Sequence, residues 1–188
     1  MMETPAYGIG HNSGQAEEPG KAWRTHVWRK ARQELMPKLP IEVIRRRVKR
    51  AKELGLPYKT YAGLRASSGD DLIGFMFSSN ALDVVRRGQK VPVLKADRLA
   101  QLVGAKTIAL THYPVAVNQV SPPADIAAPA PRPLVQWAKT RATLGDVFVK
   151  TGMPSSRVVL VTDLSIEREW VSAGRMAGAL STDSFFAP

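Results

Sequence analysis

The side chains that could carry chemistry recur at one kind of position, the carboxyl ends of short apolar runs. Ser78, Ser79 and Asn80 follow the run over residues 72–77, His112 follows residues 107–111, and Asp163 follows residues 157–162. Each run is too short to span a membrane and has the length and branched or aromatic content of a buried strand. If the strands are parallel, their carboxyl ends share one edge, where an open α/β sheet binds its ligands. Ser78, Ser79 and Asn80 are therefore an anion-binding candidate, since hydroxyls, amides and the free N–H groups of a following helix all suit a negative charge. The same three residues are also ordinary helix caps. His112 and Asp163 are the acid–base candidates if the chain is an enzyme. Sequence alone supplies His112 with no partner, and a capping role accounts for Asp163 equally well.

Against an enzyme stand several omissions. There is no cysteine, hence no thiolate nucleophile and no Cys-ligated zinc. Neither a phosphate-binding GxxxxGK[ST] loop, a dinucleotide GxGxxG turn nor an HExxH pair occurs. A metal-dependent nuclease needs several carboxylates converging on one or two cations. Asp70 and Asp71 precede the first strand while Asp163 follows the third, so a parallel sheet sets them at opposite ends. The expectation is no metal site, no cofactor and a non-enzymatic role.

The elements that must position these residues read as one α/β domain over residues 66–188, a small parallel-stranded sheet flanked by helices. A helix is expected over 80–88, with Leu82, Val84 and Val85 inward and Gly88 closing it. A short extended piece at 91–94 leads into a helix over 95–103, closed by Gly104. Residues 114–133 contain six prolines and five alanines and should form an extended connection without regular structure. Helical spacing returns over 134–150, with Gly145 as a weak point, and again over 164–176, where Glu167 and Glu169 suit the positive end of the helix dipole. The ending should be loose except where Phe185 and Phe186 dock on the core.

Charge is unevenly divided. Residues 1–20 carry −3, residues 21–65 carry +11 and residues 66–188 carry +3. Residues 1–20 have no apolar period and should be disordered; their IGHNSG hexapeptide is similar to tails of bacterial mobile-element proteins. Residues 21–65 read as a basic helical segment. Trp23, Val27, Ala31 and Leu35 mark one helix. Ile41, Ile44, Val48 and Ala51 form the inward stripe of a second, with Arg45, Arg46, Lys49, Arg50 and Lys52 outside it and Gly55 as its cap. A basic excess concentrated in a quarter of the chain is the electrostatic footprint expected for a polyanion.

Residues 51–65, AKELGLPYKTYAGLR, resemble the turn region of helix-turn-helix DNA-binding proteins. Ala51 takes the small position, Gly55 the turn and Leu56 the apolar position after it, with Tyr61 and Leu64 as core contacts. The resemblance implies that Tyr58, Lys59 and Thr60 approach base edges or phosphates. With the preceding residues, the segment is also similar to the helical part of ribbon-helix-helix repressors, whose reading strand would fall at 33–38. A helix packed on the sheet with a solvated basic face is the alternative. The favoured function is nucleic-acid binding, DNA ahead of RNA, regulatory or mobile-element associated. A small enzyme or anion-binding domain using the strand ends is one alternative, and a module for an acidic protein partner is another. With no charged-then-apolar leader and no eighteen-residue apolar run, the expected place is the cytoplasm, with no membrane partner.

Overall fold

Continuous burial on both faces is what makes a strand central, and GFMFS meets that condition: all five residues of β1 (Gly74–Ser78) are buried. In the computed structural model, which describes residues 39–187, β1 pairs in parallel with β2 (Lys106–Thr111) on one side and β4 (Val158–Val161) on the other. The outer positions belong to β3 (Ile126–Pro129), beside β2, and β5 (Gly178–Leu180), beside β4. The sheet is thus five-stranded, all parallel, in the order β3-β2-β1-β4-β5. The α/β architecture is as the sequence predicts.

Alternation along the strands divides the core into two layers. Phe75, Phe77, Ala109, Val159 and Val161 face α1 (Ile41–Glu53), α2 (Tyr58–Ser68), α3 (Val93–Ala100) and the terminal α6 (Thr182–Phe186). Met76, Ile108, Leu110, Val158 and Leu160 face α4 (Trp137–Thr151) and α5 (Ser165–Gly174). The sheet and its covering helices, from Glu42 onward, belong to one compact unit, Glu42–Pro188. The tail over 1–20 and the first predicted helix lie outside the described residues, as does the would-be reading strand at 33–38.

Four local expectations are corrected. No helix forms over 80–88. A single turn closes instead, with Leu82 N donating to the Ser78 carbonyl at 3.2 Å and Val84 N to the Ser79 carbonyl at 2.8 Å. Asp83 then takes a left-handed φ of 57°, which ends any helix. Side chains from farther along satisfy the backbone of this turn and of the residues after it. The Gln89 amide oxygen accepts from Val85 N at 2.9 Å and Arg86 N at 3.2 Å, and Lys95 Nζ donates to the Ala81 carbonyl at 2.8 Å.

The proline-rich connection contains β3, whose entry is pinned by Asp125: its Oδ2 accepts from both Thr107 N and Thr107 Oγ1 at 2.7 Å. The chain end is ordered as β5 and α6. Finally, of the predicted inward stripe of α1 only Ala51 is buried, whereas Ile44 and Ile41 are 37% and 64% exposed. Gly145 does not interrupt α4.

The amino end of the sheet is fastened by Arg50. Its guanidinium donates to the carbonyls of Leu72 at 2.9 Å, Gly104 at 2.8 Å and Val103 at 3.0 Å, the residues that lead into β1 and β2. The opposite, carboxyl end is left for the loops.

Candidate functional site

At the carboxyl end, between β1 and β4, the sheet order reverses direction: the chain leaves β1 for β2 and β3, then returns to lay β4 on β1's other flank. Such a switch point separates the flanking loops and opens a crevice. What fills it is a carboxylate. Glu167, the third residue of α5, is 1% exposed. Asn80 Nδ2 donates to its Oε1 at 2.9 Å, His112 Nε2 lies 2.8 Å from the same oxygen, and the Thr162 hydroxyl donates to Oε2. Three elements therefore converge on one side chain: the turn after β1, the end of β2 and the end of β4.

Burial alone would push the Glu167 carboxyl up, because an ion loses its hydration there. The hydrogen bonds from His112, Thr162, Ser78 and Asn80 outweigh that and hold it below the usual carboxylate range. The group is an anion at neutral pH, and its acceptor capacity is used up within the protein. An ionised acceptor at Nε2 fixes the histidine: Nε2 carries the hydrogen, and in the neutral ring Nδ1 is left as an acceptor. The backbone N of His112 is held by the Ser79 hydroxyl at 3.2 Å, and the ring lies against Trp170 with centroids 5.6 Å apart. A cavity of about 170 Å³ opens over this arrangement, lined by His112, Glu167, Trp170, Trp137, Leu134 and Arg132 among others.

The predicted residues are thus distributed as follows. Asn80 and His112 meet on Glu167, and Ser78 adjoins it. Ser78 and Ser79 are fully buried with their hydroxyls engaged, Ser78 Oγ accepting from Ala81 N at 3.1 Å and Ser79 Oγ from His112 N. The anion that Ser78 and Asn80 serve is the chain's own Glu167. Asp163 stands apart. It accepts from Thr182 N at 2.9 Å and from the Thr182 hydroxyl, tying the end of β4 to the start of α6, and it does not line the cavity.

Glu167 is the residue sequence reasoning missed as a site. The signal was its place three residues before Trp170 and six before Ala173, both buried, which sets a carboxylate on the inward stripe of α5.

The basic candidates belong to α1 and α2, of which Arg50 reaches the amino end of the sheet. Arg45, Arg46, Lys49 and Lys52 of α1 and Tyr58 and Lys59 of α2 are exposed, and Thr60 is half-buried. Arg45 pairs with Glu42 at 2.7 Å, in solvent. Arg50 differs from its neighbours, since its donors are spent on the three carbonyls and on Glu53 at 3.1 Å. Arg46, Arg47, Lys49, Arg50 and Arg65 line a groove of about 430 Å³. Ala51, Leu56, Tyr61 and Leu64 are buried, and Gly55 has a φ of 59°. That pattern satisfies the helix-turn-helix resemblance and a plain helix-on-sheet packing alike.

Among the described residues, no group of three His, Asp or Glu side chains gathers as a metal cage, and no helix is long and apolar enough to cross a membrane. Compared with protein-family models, curated proteins and solved structures, the chain finds no match.

Proposed function

We propose that this chain binds nucleic acid, duplex DNA ahead of RNA, through the solvent face of α1 and the start of α2, in a regulatory or mobile-element setting. The observation that carries the reading is that Arg45, Arg46, Lys49, Lys52 and Lys59 are all exposed on two successive helices. Among the described residues of these two helices, Glu42 is the one exposed carboxylate, Glu53 being partly buried against Arg50. A surface of this kind gains affinity by displacing condensed counterions, so log affinity falls linearly with log salt by about 0.9 per phosphate engaged on duplex DNA. Four phosphates give a slope of about −4 by that rule. The test is a titration of duplex DNA, single-stranded DNA and RNA at several salt concentrations. Changing Arg45, Arg46, Lys49 and Lys52 together to Gln should flatten the slope by several units and leave the fold intact. Changing Tyr58, Lys59 and Thr60 should alter sequence preference more than slope. Absence of binding to all three at low salt overturns the proposal and moves the basic face to an acidic protein partner.

A second reading, a ligand-binding or acid–base site at the carboxyl end of the sheet, is favoured by one arrangement: a histidine oriented by a buried, fully hydrogen-bonded carboxylate at the floor of a cavity. A structural ion pair does not need an opening above it. The check is direct observation of the His112 ring by nuclear magnetic resonance while small ligands are added.

A further inference from the structure

The cavity over His112 combines a small volume, flat aromatic surface and one oriented nitrogen. Its volume of about 170 Å³ falls below the range of about 300–1,000 Å³ that accommodates drug-sized ligands, and suits a single ring system. Trp170 forms a buried wall behind His112. The opposite lip is apolar and wet: Trp137 is 52% exposed, Ile166 40% and Leu134 94%. Large apolar side chains gathered around one opening, with the Arg141 guanidinium 5.5 Å from the Trp137 ring centroid, are surface that a ligand would cover.

Leu134 is held there at a cost. Its φ of 58° is the left-handed region, rarely adopted by a branched side chain, and strained backbone of this sort collects at ligand clamps. Glu167 is occupied by its own donors, so the polar lining left for a ligand is His112, whose Nδ1 has no hydrogen-bond partner among the described residues, and Thr140. At the mouth are Arg132, a cation able to meet an anionic substituent, and Glu169, a carboxylate able to accept an N–H.

We propose that this cavity receives the planar heterocycle of a nucleotide, the ring lying against the tryptophan and leucine walls, a ring or exocyclic N–H donating to His112 Nδ1, and the phosphate turned toward Arg132. The proposal rests on the reading of the carboxyl end as a ligand site and adds its ligand class. Stacking on aromatic side chains tolerates any base, since every base has a π face, and this makes the recognition one of class more than of sequence. The nucleotide has two possible sources, a free mononucleotide or an unpaired nucleotide within a strand. Glu167 is a positioning residue in this scheme, because it acts on the ligand only through His112.

The full chain, labelled in its histidine rings, is titrated with each of the four ribonucleoside 5′-monophosphates, with a short single-stranded oligonucleotide, with blunt duplex and with ribose 5-phosphate. Saturable movement of the His112 signals by mononucleotides, weakened at least tenfold by Trp137→Ala, supports a free nucleotide. The same movement by the single strand alone supports an unpaired nucleotide. Trp137 and Leu134 lie on the exposed lip, so Trp137→Ala and Leu134→Gly spare the buried cluster and keep the test valid if His112→Phe fails to fold. Movement by ribose 5-phosphate at the affinity of the nucleotides, or nucleotide binding that Trp137→Ala leaves unchanged, overturns the nucleotide class while the ligand site stands. Silence of the His112 signals to every probe overturns both.

Discussion

A carboxylate taken out of water stays ionised only where donors replace the water, and Glu167 meets that condition with groups from three loops. Removing it leaves Asn80 Nδ2, the Thr162 hydroxyl and the His112 ring facing an empty site. Breaking a buried charge–donor cluster from one side costs about 3–5 kcal/mol, because the orphaned partners keep their desolvation penalty. Glu167→Ala should therefore lower the melting temperature by roughly 6–20 °C, at about 2–4 °C per kcal/mol for a chain of this length. Glu167→Gln should lower it less, since one oxygen still accepts. The pH dependence has a definite sign. The folded carboxyl titrates below its unfolded value, so its contribution is complete above the ordinary carboxylate range and is lost as pH falls through the lowered folded value. Thermal melts between pH 7 and pH 3 should show a steeper acid decline for the native chain than for Glu167→Gln. At this scale the sequence is readable by halves. Ser78, Asn80 and His112 announce themselves because they follow apolar runs. Glu167 does not, because an acid early in a helix is well explained by the dipole until the buried stripe of that helix is traced through it.

Among the elements, strand legibility follows burial. β1, β2 and β4 are sandwiched between helices and so are written in Val, Ile, Leu and Phe. β3 and β5 are IAAP and GAL, with too little side chain to signal a strand, and are defined by the partners they lie beside. The turn after β1 is hidden for another reason: Gln89, Lys95 and Gln119 satisfy its backbone, and Gln119 lies thirty-three residues from the Arg86 carbonyl it reaches. Local spacing cannot see such bonds. The arginines of α1 give a sharp test of element-level roles. Arg50→Gln removes the donors of three carbonyls at the heads of β1 and β2 and should cost about 2 kcal/mol, in line with charged hydrogen bonds that solvent partly replaces. Arg46→Gln and Lys49→Gln, on the same helix and exposed, should stay within about 0.5 kcal/mol of the native chain. Denaturant unfolding of the three variants separates them. The same series sorts nucleic-acid effects, since a loss of binding in Arg50→Gln can arise through the fold.

For the whole molecule, the two layers over the sheet are unequal in where their pieces come from. The layer over Phe75 and Phe77 is closed by α6: the Phe185 ring lies 4.8 Å from that of Phe75 and 5.1 Å from that of Phe77, with the Arg98 guanidinium 5.1 Å from its centroid. α6 thus seals β1, so this layer is held together by residues far apart in the sequence. Phe185→Ala should cost about 3–5 kcal/mol, as for other buried aromatic truncations, and a chain ending at Leu180 should lose at least as much. Thermal and denaturant melts of both decide it. Gly74 is a tighter constraint at the sheet's centre, since an added Cβ would meet the Lys106 carbonyl at 2.9 Å and the Met153 methyl still closer. Gly74→Ala should destabilise by about 1–3 kcal/mol through forced repacking.

The margins of the sheet matter in a different way. Its outermost strands have four residues and three, and the longer ends on Pro129, which has no amide hydrogen to offer a neighbouring chain. An open parallel sheet exposes unpaired backbone at both sides, and such rows recruit further strands into aggregates. Here each row is over within about 10–14 Å at the usual rise per residue, too brief a template for another polypeptide to zip onto. The brevity that makes β3 and β5 hard to read thus also leaves a second copy of this domain little edge to pair with.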